Sequence, residues 1–519
     1  MIQFLKKLAL IPNKIDKKSI FISLLILNFT FLYHSLNFIW GNHDIEFLKT
    51  PIPISHSFFE GRFTQFIPHF ILTNQHILPI LNNLLGFIFL TLGIWLLAKY
   101  WKIPKNTLNY TIFITFFCTQ PYTISWLYFN LNTISNFLWI FIAILGLYLS
   151  EFINNHPNKL FLSIFSILCF YITLSGYQPI INTFAICLCG NIIILYIKKN
   201  KTLHQIINIH KYTIFNLLIS IILYKLTLSI IATKDVYNLQ TTPFSEFPQK
   251  LISIIKIAFN QFFITQPFMG KLYKSTLFIM TITSITLTLA TIKDYKKIPL
   301  TLFLTVLIII STALTTLIST ASTQYVYRID FYGYGFLYTF FLSLLLLSTF
   351  ILGQSIALIF MIIIIPANII NCYHTQKIWK QGLDAELKIL DRTIERIENH
   401  PNFNPNNKYR VYQIGEFSLR PNYYKQHFDK KEDFILEISY TPKWKVDKLL
   451  DLYSPFSYID VQPNILTTDI TPQLYDFIIN RADIWPHSNS IYIDENIIIT
   501  IYDRLSLQLF KQKIQNFYK

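Results

Sequence analysis

From residue 19 to residue 372 the chain is a succession of apolar stretches separated by short polar connections. Each stretch is about 20 residues long, the length that an α-helix needs to cross the hydrocarbon core of a bilayer. The predicted spans are 19–40, 79–100, 108–125, 133–150, 160–174, 179–197, 212–233, 275–290, 299–320, 333–352 and 355–371. The sequence therefore predicts a polytopic α-helical membrane protein with about eleven transmembrane helices.

Lysines fall in alternate connections of this membrane half. They precede the first span and recur after the second, fourth, sixth and eighth spans. Because positively charged connections are retained in the cytoplasm, the N-terminus is predicted to be cytoplasmic and the chain after residue 372 extracytoplasmic. The predicted turn at Gly353 and Gln354 carries no lysine, and one bent helix there would move everything after it across the membrane.

The polar tail is predicted to be a separate extracytoplasmic α/β domain, residues 373–519, after a transmembrane domain of residues 1–372. Residues 375–400 have helical periodicity, 408–415 have the pattern of a strand, and 491–502 that of two strands around Asp494-Glu495-Asn496. The tail is long enough for its own core. Binding of acceptor polysaccharide and a packing role are equal alternatives for it.

The net charge of +16 belongs to the membrane half, because basic and acidic residues are equal in number after residue 372. The charge therefore reports topology and contact with anionic membrane lipid, and no nucleic-acid partner is predicted. The five cysteines lie in or at the end of predicted spans, so neither a disulfide framework nor a thiolate metal site is indicated.

Two acidic residues lie just beyond the first span. Asp44 and Glu46 are placed at the membrane boundary, where a carboxylate held near apolar surface has its pKa raised toward that of a general base. This pattern makes them candidate catalytic residues. The alternative is that they are ordinary solvated residues of a membrane loop.

Residues 1–372 contain two arginines, Arg62 and Arg328, and both are predicted to be on the outer side. A planar guanidinium forms bidentate hydrogen bonds with phosphate oxygens, so the pair suits a lipid phosphate. The other polar residues predicted at this face include Tyr177, Gln178 and Asp330. The alternative is that Arg62 pairs with Glu60, and Arg328 with Asp330, as ordinary interface ion pairs.

Signals for metals and soluble nucleotides are poor. The sequence has no glycine-rich phosphate loop, CxxC or HExxH motif, and the histidines near the first outer connection lack ligand spacing. No cofactor and no metal ligand are predicted, so an activated sugar would have to arrive on a lipid. The apolar run 251–263 is too short and interrupted for a span, and it is predicted to be a helix lying in the interface.

Three short motifs together resemble a known family. His43-Asp44 follows the first helix, Gly61-Arg62 opens the next apolar segment, and Tyr177-Gln178 heads a later span. This layout resembles the bacterial membrane glucosyltransferases that decorate O-antigen, of the kind carried by serotype-converting phages. Family members usually have two aspartates where this chain has His43-Asp44, which argues against a metal bound by a carboxylate pair and leaves Asp44 as the matching acid.

The resemblance implies a GT-C-type glycosyltransferase of the bacterial inner membrane. Such an enzyme takes glucose from undecaprenyl-phosphate glucose on the periplasmic side and transfers it to a hydroxyl of a polysaccharide or lipid-linked acceptor. The resemblance and the residues together imply that Asp44 is the base, with Glu46 in reserve, and that Arg62 and Arg328 bind the lipid phosphate.

Two other functions stay open at this point. One is a lipid-linked-oligosaccharide transporter or polymerase, although transporters of that class usually show repeated halves and the sequence has no internal repeat. The other is a GT-C enzyme that moves mannose, arabinose or another sugar.

Overall fold

A computed structural model describes residues 10–41, 44–48, 50–127, 129–231, 244–263, 271–318, 331–348, 351–415, 458–459, 470–494 and 496–518. The chain divides into two compact units. The first comprises Met1–Phe38 and Pro51–His374, and the second Ile39–Thr50 and Thr375–Lys519. The segment that carries Asp44 therefore groups with the tail, although it was predicted within the transmembrane domain.

The first unit is built from helices. In chain order they are α1 Lys14–Thr30, α2 Leu32–Asn37, α3 Ile67–Thr73, α4 Pro79–Tyr100, α5 Thr107–Thr119, α6 Ile124–Leu127, α7 Asn130–Phe152, α8 Lys159–Gly176, α9 Ile180–Ile197, α10 Leu203–Ile231, α11 Phe247–Phe263, α12 Lys271–Ala290, α13 Ile298–Ile310, α14 Thr315–Ile318, α15 Phe336–Leu346 and α16 Ile351–Glu398. The last of these, α16, continues into the second unit.

In the described part of the chain, seven helical segments are long and apolar enough to cross a membrane. They are Pro79–Tyr100, Asn130–Phe152, Lys159–Gly176, Ile180–Ile197, Leu203–Ile231, Tyr295–Ala313 and Gly353–Glu398. Thr107–Thr119 and Phe331–Leu346 are shorter apolar helical segments. The protein is therefore mostly helical with several candidate spans, and the count of about eleven stays a prediction.

Two predicted spans are interrupted, and one predicted turn is displaced. The first breaks at Phe31, between α1 and α2, and Phe38 ends α2 in the left-handed region at φ 40°. The third breaks after Thr119, because Pro121 follows and a proline cannot continue the hydrogen-bonding pattern. The predicted turn at Gly353 and Gln354 was wrong, since both residues lie inside α16.

The described break lies a few residues earlier, at Leu347 and Ser348, directly after the end of α15 at Leu346. Gly353 does not mark a turn. It is the position where the Ser348 side chain packs so closely against α16 that a Cβ atom would collide with it.

Close helix packing depends on small residues. The Ser150 hydroxyl of α7 and the Ser166 hydroxyl of α8 lie 3.0 Å apart, and Ser166 also donates to the Gly146 carbonyl at 3.2 Å. A Cβ atom at Gly146 would come within 2.7 Å of the Phe170 ring. This is how helices approach in a membrane, where packing and hydrogen bonds replace the hydrophobic driving force.

Two ion pairs lie at one end of the bundle. Lys99 Nζ is 3.7 Å from the fully buried carboxylate of Asp16, and Lys102 Nζ is 2.7 Å from Glu151. These pairs join the N-terminus of α1, the C-terminus of α4 and the C-terminus of α7. The three ends are those that the lysine pattern predicts to lie on the cytoplasmic side.

The predicted interface helix is α11. Lys250, Ile254, Ala258 and Phe262 form its buried stripe, four residues apart, while Leu251, Ile252, Ile255 and Phe263 are exposed. The Tyr334 hydroxyl donates to the Ala258 carbonyl. The helix itself is confirmed, and its position in the membrane interface stays a prediction.

The second unit contains a four-stranded sheet in the order β2-β1-β4-β3, with β1 Tyr409–Ile414, β2 Tyr458–Ile459, β3 Ile491–Asp494 and β4 Ile497–Ile501. β1 pairs in parallel with β2 and β4, whereas β3 and β4 form an antiparallel hairpin. The sheet packs with α17 Pro472–Asp476 and α18 Arg504–Tyr518 around a core that includes Leu474, Ile499 and Leu507. The predicted helix, strand and hairpin of the tail are confirmed.

Candidate active site

A tight turn positions Arg62 in the first unit. A 3₁₀ turn, Phe58–Glu60, is followed by Gly61 in the left-handed region at φ 72°. A Cβ atom at Gly61 would come within 2.8 Å of Leu228 Cδ1 and 3.1 Å of the Tyr224 hydroxyl. Glycine is therefore required here both by the backbone conformation and by the close approach of α10.

The guanidinium of Arg62 has three neighbours. Its Nη1 lies 2.5 Å from Glu60 Oε2, its Nε donates to Gln178 Oε1 at 3.4 Å, and its Cζ lies 5.0 Å from the Tyr177 ring centroid. The structure thus brings Arg62, Tyr177 and Gln178 together from segments far apart in sequence. The predicted ion pair with Glu60 is present as well.

This ion pair contributes little to stability. The Arg62 and Glu60 side chains are 26% and 37% exposed, and such a solvent-screened pair is worth roughly 0–1 kcal/mol. It leaves the Nη2 group of Arg62 without a partner among the described residues. Since a guanidinium carries five N–H donors, Arg62 retains capacity for an anionic ligand.

Gln178 connects the Arg62 turn to two helices. Its Nε2 lies 3.1 Å from the Glu60 carbonyl, 3.3 Å from the Gly61 carbonyl and 2.9 Å from the Tyr224 hydroxyl. Gln178 stands just before α9, and Tyr224 belongs to α10. The side chain is buried, so these bonds hold the turn in one place.

The Tyr177 ring, which Arg62 contacts, belongs to a cluster of three aromatic rings. The Tyr177 ring centroid is 5.0 Å from that of Trp126 and 5.3 Å from that of Tyr332, and the latter two are 5.5 Å apart. The rings come from three separate segments and all are buried. Among the described residues, neither Trp126 Nε1 nor the Tyr332 hydroxyl has a hydrogen-bond partner.

Arg328 and Asp330 lie outside the described residues, between α14 and the π-helical turn Phe331–Gly335 that carries Tyr332. Their predicted roles therefore stay predictions. His43 and the side chain of Glu46 also lie outside the described part of the chain.

Asp44 belongs to the second unit. It begins a 3₁₀ turn, Asp44–Phe47, and its side chain is fully buried. Its Oδ2 accepts a hydrogen bond from the Gly41 N–H at 2.9 Å, and its own N–H donates to the Gly41 carbonyl at 3.1 Å. The carboxylate is therefore removed from water rather than solvated as a simple loop residue would be.

A second set of polar side chains escaped the sequence reasoning. We call Gln65, His69, Asn132, Ser135 and Asn136 the neutral polar cluster; all five are buried and none is acidic or a permanent cation. Gln65 Nε2 donates to Asn132 Oδ1 at 2.7 Å, and His69 Nδ1 lies 3.4 Å from the Ser135 hydroxyl. The available signal was the polar spacing 132, 135 and 136 around the start of one apolar span.

Burial lowers the pKa of His69 to about 3, because the imidazolium would lose its hydration. The ring is therefore neutral at physiological pH, with one nitrogen that donates and one that accepts. The described residues contain no group of three His, Cys, Asp or Glu side chains that could hold a metal ion.

The fold and this site define a helical membrane protein with an arginine, an aromatic cluster and buried neutral polar groups at one end of its bundle. Comparison with protein families identifies it further. The family model Glucosyl transferase GtrII matches residues 59–342, more than half of the chain, and the chain belongs to this family. The match confirms the resemblance and includes Arg62, Tyr177 and Gln178, whereas Asp44 and Glu46 precede it. No curated protein and no solved structure matches the chain.

We expect the protein to lose stability as the pH falls below about 6.5, because unfolded His69 takes up a proton there while the buried ring does not. Between about pH 6.5 and 4.5, protonation of unfolded His69 should lower the free energy of unfolding by roughly 1.4 kcal/mol per pH unit. His69→Gln removes this contribution and should therefore flatten the dependence of Tm on pH in that range. Thermal unfolding in detergent measures this. His76→Gln, at an exposed position close by, is the control, and equal slopes in both variants would contradict the assignment.

Proposed function

We propose that the protein transfers a glucosyl group, or another hexosyl group, from a polyprenyl-phosphate sugar to a cell-surface polysaccharide such as O-antigen, or to a lipid-linked acceptor, on the extracytoplasmic face of the bacterial inner membrane. Membership of a glucosyltransferase family supports the transferase over a transporter or polymerase. The observation that carries the choice of donor is the guanidinium of Arg62, held between Glu60, Gln178 and Tyr177.

Arg62 suits the phosphate of a lipid-borne donor. Its plane is oriented by the Tyr177 ring and the Gln178 amide, so little side-chain freedom remains to be lost when a phosphate binds. Negative charge develops on that phosphate as the sugar leaves, and a preoriented cation stabilises such charge in the transition state. We propose that Arg328 adds a second guanidinium, and that Tyr177, Gln178 and Asp330 help to bind the substrate.

The position of Arg62 in the bundle supports an extracytoplasmic reaction. The Thr64 hydroxyl donates to the Ile172 carbonyl at 2.8 Å, which places the Arg62 segment at the C-terminal end of α8. Glu151 and Lys102 pair near the short connection between α7 and α8, at the opposite end. Since lysine-rich ends are cytoplasmic, Arg62 is expected outside.

The proposed chemistry is a single displacement. The acceptor hydroxyl attacks the anomeric carbon with inversion and gives its proton to a carboxylate. We propose that this carboxylate is Asp44, and that Glu46 is the alternative candidate. The bond from the anomeric carbon to the phosphate oxygen breaks, and the lipid phosphate leaves with the electron pair. We propose no cofactor, and an accessory role for residues 373–519 in acceptor binding or stability.

Proteoliposomes containing the purified protein test the donor. We expect transfer of labelled glucose from undecaprenyl-phosphate glucose to an O-antigen polysaccharide, with release of undecaprenyl phosphate, and none from a soluble sugar nucleotide. The label in the polysaccharide and the lipid product are measured together. Equal transfer from UDP-glucose without the lipid donor would contradict the proposal.

Arg62→Lys should lower the transfer rate by roughly tenfold or more, because lysine keeps the charge but loses the bidentate geometry. The amount of inserted protein should stay the same. Arg481→Lys is a matched control, since Arg481 also pairs with a carboxylate, at 2.6 Å from Asp476, but lies in the second unit. Wild-type turnover in Arg62→Lys would remove this residue from the phosphate site.

Asp44→Asn should abolish most transfer, by about two orders of magnitude, because an amide cannot take the acceptor proton. The fold should survive, since asparagine Oδ1 can still accept the Gly41 hydrogen bond. Binding of undecaprenyl-phosphate glucose should be retained. Glu46→Gln, two residues away, should cost less, and an inactive Glu46→Gln beside an active Asp44→Asn would assign the base to Glu46.

A further inference from the structure

The neutral polar cluster begins three residues after Arg62, at Gln65. The Gln65 N–H donates to the Arg62 carbonyl at 3.4 Å, and the Gln65 side chain reaches Asn132 on α7. His69, on the following helix α3, reaches Ser135 on the same helix α7. The Arg62 segment and the N-terminal half of α7 thus face each other through uncharged hydrogen-bonding groups.

Several of these groups are left without a partner. Among the described residues, Gln65 Oε1, His69 Nε2 and both amide atoms of Asn136 make no hydrogen bond, although all are buried. Asn132 and Asn136 are four residues apart on α7, so they share the helix face that meets Gln65. A buried polar group without a partner destabilises a protein, and Asn136 has every donor and acceptor unused.

The chemistry of the cluster identifies what would complete it. Side-chain amides and a neutral imidazole offer donors and acceptors together, as each sugar hydroxyl also does. The cluster has no permanent cation for a phosphate or carboxylate and no carboxylate for a cation. A neutral, hydroxyl-rich ring is the ligand whose hydrogen-bonding chemistry matches these groups, and in a phosphate-linked sugar donor that ring is attached directly to the phosphate.

We propose that the neutral polar cluster binds the hydroxyl groups of the transferred hexose, with Asn136 as a specificity-determining residue beside the donor phosphate at Arg62. This inference rests on the proposed function and extends it from the phosphate to the sugar. Asn136 forms hydrogen bonds with ring hydroxyls, and Gln65 and His69 complete the ring's contacts. The cluster is therefore the part of the site that distinguishes one hexose from another.

Asn136→Leu separates this role from a structural one, because leucine is close to asparagine in size and needs no hydrogen bond. Stability should be kept or should rise, since a buried unpaired amide is removed. Transfer from undecaprenyl-phosphate glucose should nevertheless fall at least tenfold. A residue that only packs would not move activity and Tm in opposite directions.

Asn191→Leu is the matched control. Asn191 is also fully buried in the bundle, but its Nδ2 donates to the Tyr100 carbonyl at 2.7 Å. This bond lies at the C-terminus of α4, near Lys99 and Lys102 and away from Arg62. Here the substitution breaks a hydrogen bond and leaves a buried carbonyl unpaired. Tm should fall, while turnover per folded molecule should be unchanged.

Binding measurements separate the sugar from the lipid phosphate. Asn136→Leu should bind undecaprenyl phosphate like the wild type but bind undecaprenyl-phosphate glucose at least tenfold more weakly. If Asn136→Leu does not accumulate, Asn136→Ala is tested in the same assays. Wild-type transfer and sugar-donor affinity in the variant would overturn the inference and leave water as the cluster's occupant. A wild-type protein that does not use the lipid donor at all would instead overturn the proposed function, and this inference with it.

Discussion

The geometry of the candidate site depends on the amide of Gln178. Its nitrogen approaches two carbonyls of the Glu60–Gly61 turn and the hydroxyl of Tyr224, and its oxygen approaches the Arg62 Nε. A buried amide in a medium of low dielectric constant makes strong hydrogen bonds, and losing one of them is costly. One side chain therefore sets the position of the turn, the packing of α10 and the direction of the guanidinium.

The two ends of the helical unit have different electrostatic characters. Asp16 and Glu151 compensate Lys99 and Lys102 at one end, where the partners neutralise charges that would be costly to bury alone. Among the described residues, the other end has the ion pair of Arg62 and a concentration of uncharged polar side chains around Gln65 and Asn136. The first end thus combines paired charges, and the second combines a cation with uncharged hydrogen-bonding groups.

Much of the helical unit could be predicted from sequence, because a bilayer imposes both the length and the apolarity of a span. α4 begins and ends where predicted, at residues 79 and 100, and α9 differs by one residue. The positions where helices break were harder to predict from the sequence. Glycine is common in turns, so Gly353 suggested a turn. Its role is instead to let Ser348 pack against a continuous helix, and this contact cannot be read from the sequence.

The site residues that belong to short local motifs could be predicted from the sequence. Arg62, Tyr177 and Gln178 stood out as short polar motifs, but Tyr224 and Tyr332 approach them from segments that no local pattern connects. Asn136 was missed because an asparagine inside an apolar span resembles any other tolerated polar residue until its burial without a hydrogen-bond partner among the described residues is known. Asp44 matched the family pattern, yet its burial and its bond to Gly41 follow from a turn that sequence did not predict.

We propose that Arg62 binds the phosphate of a lipid-linked sugar. The most direct test is an experimental structure of the protein with undecaprenyl-phosphate glucose bound in a lipid nanodisc. We expect a phosphate oxygen at hydrogen-bond distance, about 2.7–3.2 Å, from the Arg62 guanidinium, with the glucose ring directed toward Gln65 and Asn136. A phosphate bound at the end where Lys99 and Lys102 lie, with Arg62 still contacting only protein groups, would contradict this proposal.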